Sequence, residues 1–166
     1  MRARALVALA IAAAAVPLGC VDAVHEQQVT ALGDEKPGVP PGPTHRPGQP
    51  CLVCHGGQGP ASFQMSVGGT VYETQGQDAP ATSAQVQIED ITGATFTAST
   101  NSAGNFFIEA ATWQPHFPLT MQVTEGQTVQ GMATFAQRDG SCADCHTATP
   151  GPRSPGPIYV NQSQGP

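Results

Sequence analysis

Two short stretches of the chain carry groups able to do chemistry, Cys51-Leu52-Val53-Cys54-His55 and Cys142-Ala143-Asp144-Cys145-His146. In each, two thiols stand three positions apart and an imidazole follows directly. Thiols so spaced lie about one tight turn apart, close enough for both to capture the two vinyl groups on one edge of a porphyrin. The residue that follows then falls beneath the iron. The pattern points to two covalently attached haems, haem c in type. Cys51, Cys54, Cys142 and Cys145 would supply the thioethers, and His55 and His146 the proximal iron ligands. Apart from Cys20 the chain has no other cysteine.

Three other uses of such thiols compete with this one. Paired Cys-x-x-Cys knuckles can hold zinc, but Cys54 and Cys142 are much farther apart in the chain than a compact zinc ribbon needs. Zinc also gives no reason for a histidine at the fifth position of both motifs. A thioredoxin-like redox pair needs a βαβ context that this sequence lacks. Structural disulfides in an oxidising compartment remain the plainest option.

The sixth iron ligands are open. His45 stands shortly before Cys51 in a Pro-rich segment, an arrangement that resembles multihaem cytochromes in which a histidine upstream of the motif reaches an iron from its far side; otherwise it is a solvated loop residue. For the second iron, Met132 precedes Cys142 where the last expected strand hands over to the haem loop. A methionine ligand would raise the reduction potential relative to a second histidine, although methionine at a strand end more often fills a core. His116, in Trp113-Gln114-Pro115-His116-Phe117-Pro118, is the rival, its plain alternative being a turn residue beside the only Trp, and His25 is a remote third.

The elements that must position these groups are strands. Val67 to Tyr72, Ala84 to Asp90, Phe96 to Thr100, Asn105 to Ala110, Leu119 to Thr124 and Val129 to Thr134 read as short runs of period two. Val86 and Ile88 alternate with Gln85, Gln87 and Glu89, which turns one face inward. Thr92-Gly93 and Asn101-Ser102-Ala103-Gly104 are turn signals at hairpin spacing. The expected fold is mainly β: a small antiparallel β-sandwich over residues 66–134, with loop-rich haem-binding segments at both ends (51–65 and 135–166) and little helix.

Gly69-Thr70-Val71-Tyr72, Val86 to Asp90 followed by Gly93, Thr97 to Thr100 and Gly104-Asn105-Phe106-Phe107-Ile108 resemble the carboxypeptidase-regulatory-like, or transthyretin-like, sandwich modules. That resemblance implies a scaffold without a catalytic group. The run from Met132 through the second motif to Pro155-Gly156-Pro157-Ile158 resembles exported lipoprotein cytochromes of delta-proteobacterial type, which couple such a module to a C-terminal haem motif.

Residues 1–20 read as an export signal. Arg2 and Arg4 precede an apolar run from Ala5 to Val16, too short for a transmembrane span. Val16-Pro17-Leu18-Gly19-Cys20 resembles a bacterial lipoprotein signal, which implies acylation of Cys20 and attachment to a lipid membrane. Residues 21–50 read as a tether, because Gly33 to Pro50 holds six prolines and four glycines. The formal charge is -6, and a surface so poor in basic groups cannot neutralise phosphates, so nucleic acid is not an expected partner. The expectation is a one-electron carrier, not an enzyme, anchored in the periplasm or at the cell surface, with other redox proteins of the cell envelope as partners. The alternative is a peroxidase-like or small-molecule reductase with an open iron site.

Overall fold

The computed structural model describes residues 22–35 and 37–162; the signal segment and Cys20 lie outside the described residues. Seven strands run in chain order: β1 (Met65–Thr74), β2 (Gln85–Glu89), β3 (Thr95–Ser99), β4 (Asn105–Glu109), β5 (Thr120–Glu125), β6 (Thr128–Gly131) and β7 (Ile158–Asn161). They form two sheets, ordered β4-β1-β7 and β3-β2-β5-β6. The mainly β sandwich expected from the sequence is the architecture observed.

Alternation fixes which faces meet. In β2, Val86 and Ile88 are buried while Gln85, Gln87 and Glu89 are exposed. With Ala98 and Val123 they face Val67, Val71, Phe106, Ile108 and Val160 of the other sheet. Burying each of the larger side chains contributes about 1.5–3 kcal/mol, so this layer is the fold's main source of cohesion.

Strand β1 departs from simple alternation, since residues 67 to 71 are all buried. It pairs antiparallel with β4, with a register shift between Met65 and Val67, and parallel with β7, matching Val71 to Ile158 and Tyr72 to Tyr159. Chain from outside the sandwich covers its remaining surface. Gly68 N–H donates to Gly140 O at 2.9 Å, and Gly48 N–H donates to the Thr70 hydroxyl at 2.8 Å.

Three expectations need correction. The β-pattern does not end after the sixth strand, because the short run Ile158-Tyr159-Val160-Asn161 adds a seventh, and that strand is parallel. The stretch read as the start of a tether contains helix α1 (Ala23–Ala31), whose N-cap Asp22 accepts from the backbone N–H of Val24 and His25. The segment from Gly33 to Pro50 is not a free spacer but docks on the sandwich. Its backbone carbonyls, of Pro43 and His45, are met by side-chain amides of a strand and a turn. Asn105 Nδ2 donates to His45 O at 2.9 Å and Asn101 Nδ2 to Pro43 O at 2.7 Å. Among the described residues no helix is long and apolar enough to cross a membrane.

Candidate functional site

The first motif is itself a helix, α2 (Cys51–His55), which opens directly after Pro50. At helical spacing Cys51, Cys54 and His55 fall on one face. The second motif forms a single 3-10 turn, Cys142–Asp144. Cys145 N–H and His146 N–H both return to Cys142 O, at 3.2 and 2.8 Å, which gathers the same three groups on one side.

Both motif histidines are held in the same way. His55 Nδ1 lies 3.1 Å from Phe63 O, and His146 Nδ1 lies 2.9 Å from Gly156 O. A carbonyl oxygen only accepts, so Nδ1 carries a proton in each, and in the neutral ring Nε2 is then the lone-pair nitrogen able to bind a metal. His55 is buried.

The first motif opens on a cavity of about 620 Å³, whose wall includes Cys51, Cys54, His55, Phe63, Met65 and Phe107 together with Val29, Leu32, His45 and Arg46. The size lies within the range of cofactor pockets. His45 faces His55 with ring centres 5.9 Å apart. Two imidazoles that approach one metal from opposite sides, each nitrogen about 2 Å from it, need ring centres roughly 6 Å apart. His45 Nδ1 lies 3.6 Å from the Glu35 carboxylate, which leaves its Nε2 as the remaining donor. Glu35 is steadied by Arg46, Nε to Oε2 3.2 Å.

The second motif opens on a cavity of about 380 Å³ with Cys142, His146, Tyr72, Tyr159, Ile158 and Thr70 in its wall. Gly48 is in the wall as well, so the docked segment 45–50 runs between the two cavities. Asp144 sits beside Asp139, and partial burial with that neighbour holds its carboxyl up at about 6.

A glycine pair on β1 brings the motifs together. A Cβ on Gly68 would stand 3.1 Å from Cys51 Cβ, and one on Gly69 would stand 2.8 Å from Cys142 Cβ. Those contacts limit the separation of the two cysteine Cβ atoms to about 13 Å. Burial pushes the Cys51 thiol up to about 11 and the Cys142 thiol up to about 12, the two thiols being near enough for Cys51 to add to the rise at Cys142. Structural zinc takes thiolates, which this apolar setting disfavours. Among the described residues no three His, Cys, Asp or Glu groups converge on a point that could hold a bare metal ion. A haem asks for a different set, one imidazole and two thiols beside a cavity: Cys51, Cys54 and His55 all line the first cavity and fit it, whereas at the second motif Cys142 and His146 line a more polar cavity and Cys145 is exposed.

The other candidates lie elsewhere. Met132 continues the β5–β6 hairpin, its N–H donating to Met121 O, and lines neither cavity. His116 is largely exposed and pairs with Asp90, Nδ1 to Oδ2 3.4 Å, on a turn that also lines neither cavity. His25 is on α1, the helix whose Val29 and Leu32 border the first cavity, and its buried Nε2 has no hydrogen-bond partner. Sequence reasoning missed Glu35, the carbonyls of Phe63 and Gly156, and the Tyr72–Tyr159 pair. Of these Tyr72 alone left a signal, as the last residue of the first expected strand.

No family model matches the chain, and no curated protein or solved structure matches it.

Proposed function

We propose that the chain is a dihaem c-type cytochrome, a one-electron carrier of the bacterial cell envelope. The observation that carries the reading is the repeated arrangement at both Cys-x-x-Cys-His motifs: paired thiols on a tight turn, a cavity beside them, and a histidine whose Nδ1–H is tied to a backbone carbonyl. Haem iron, when bound, supplies a reversible one-electron change. The protein's part is to fix and insulate. The Phe63 and Gly156 carbonyls set the tautomer and tilt of the two histidines, and such outer partners raise the basicity of a ligating nitrogen. Phe63 and Phe107, ring centres 6.1 Å apart, wall the first cavity with apolar surface. His45, beside Glu35, would supply a second imidazole to a haem held at the first site.

Gly68 and Gly69 keep both attachment turns on one strand, so the two centres are near enough to exchange electrons directly. The proposed setting is that of an exported protein anchored to a lipid membrane through acylated Cys20, trading electrons with other envelope redox proteins, as its resemblance to lipoprotein cytochromes implies. A potentiometric titration of the haem-loaded chain tests this. The expected result is two one-electron steps whose potentials influence one another; a chain with no reducible chromophore, or with centres that titrate wholly independently, overturns the carrier reading.

A further inference from the structure

The chain around His45 runs in bends and turns without helix or strand, so the place of its ring opposite His55 depends on what pins the backbone there. Asn105, the first residue of β4, does most of that. Its side chain is buried, at 7% exposure, and stands in the wall of the first cavity. Its Nδ2 donates to His45 O at 2.9 Å and to Pro43 O at 3.2 Å, and its Oδ1 accepts from the Thr70 hydroxyl at 2.7 Å. That hydroxyl, also buried, accepts in turn from Gly48 N–H at 2.8 Å. The amide has one orientation only, because both carbonyls can do nothing but accept. Residues 43, 45 and 48 are thus tied to β1 and β4 through two buried side chains, and Asn101 adds a bond to Pro43 O at 2.7 Å. Beside His45, Arg46 has a φ of +49°, a left-handed conformation that a residue with a Cβ keeps only where its surroundings fix it.

We propose that Asn105 is a positioning residue of the first centre: its amide fastens the His45 backbone to the sandwich and so holds the second imidazole across from His55. One amide suits the task, since it supplies two donors to the loop and one acceptor to β1. The inference rests on the reading of the first motif as a haem site with His45 as its second imidazole. It adds the group that keeps His45 within reach.

Asn105→Asp keeps the shape of the side chain but turns a carboxylate oxygen on two carbonyl oxygens. In the oxidised full-length haem protein it should add a high-spin component to the electron paramagnetic resonance spectrum as large as that added by His45→Ala, while circular dichroism shows the sandwich intact. Imidazole supplied in the buffer should return both variants to the low-spin signal. The double variant should show no more high-spin iron than His45→Ala alone, because both changes remove one interaction. Should Asn105→Asp not fold, Thr70→Val decides in its place. That change cuts the link from Gly48 N–H to Asn105, and it should add high-spin iron in a smaller amount. A low-spin spectrum in the folded variant, set against a high-spin His45→Ala, overturns the inference and leaves the haem reading standing. A double variant with additional high-spin iron also overturns it, since Asn105 would then act elsewhere than through His45. No change in His45→Ala itself removes that imidazole from the iron and the inference with it, whereas a sample without haem overturns the underlying reading instead.

Discussion

The most exacting demands in this molecule fall on single residues. Gly69 is one, because an added methyl group would meet Cys142 Cβ at 2.8 Å and the Phe106 ring at 3.0 Å, and neither neighbour is a free chain end. Overpacking of this kind costs about 1–3 kcal/mol, so Gly69→Ala should lower the melting temperature by several degrees and reduce haem loading at the second motif, checked by thermal melts and by haem-to-protein ratio. His45 is another. His45→Ala should keep both haems attached yet add a high-spin component to the electron paramagnetic resonance spectrum of the oxidised protein, because the first iron loses its sixth ligand. An unchanged spectrum would remove His45 from the site.

At the scale of elements, the junction of α1 with the docked loop is held chiefly by Arg46. Its guanidinium donates to Leu32 O, Gly33 O and Gln49 Oε1, and it pairs with Glu35. Hydrogen bonds of a charged donor contribute about 1.5–3 kcal/mol each where sheltered and less here, where the group is partly exposed. Arg46→Ala should therefore speed amide exchange and proteolysis over residues 22–50 while leaving strands β2 to β6 protected. A second element-level device is the turn between β2 and β3. The Thr92 hydroxyl first, then the backbone N–H groups of His116, Thr92 and Ala94, hold the Asp90 carboxyl well below the usual carboxylate range, with burial acting the other way. A depressed folded value means that the unfolded chain takes up the proton more readily. The stability Asp90 adds is thus complete above the ordinary carboxylate range near pH 4 and is lost as pH falls below it. Melts between pH 7 and 3 should fall more steeply for the native chain than for Asp90→Asn; parallel curves would contradict this.

The elements also explain what could be read in advance. Strands β2 to β5 announce themselves because one face meets the core and the other meets water, which writes period two into Val86, Ile88 and their neighbours. β1 is covered on both sides, and β7 is only four residues long, so neither its parallel pairing nor its place beside β1 leaves a pattern. The Pro-rich segment hid its docking for another reason: its contacts run through backbone groups, the Gly48 N–H to Thr70 and the Pro43 and His45 carbonyls to Asn101 and Asn105, and composition is blind to those. The two motifs and His45 stood out by residue type and spacing, whereas Glu35 and the carbonyls of Phe63 and Gly156 are brought into place only by the fold.

Seen as a whole, the molecule is a sandwich whose β4-β1-β7 sheet gathers chain from both ends, with the two thiol-histidine turns meeting on β1. Phe63 is substantially exposed beside the first cavity, and an apolar disc there would remove it from water. Haem-free chain should accordingly lose protection from proteolysis near both motifs while the sandwich stays resistant, and equal resistance with and without haem would count against the cofactors as part of the core. The most direct measurement is the intact mass of the mature protein, expressed in a host that matures cytochromes and unfolded before weighing. The account predicts an increment of two covalently bound haems that persists after unfolding. A mass equal to the polypeptide with any lipid, and no haem increment, would contradict it.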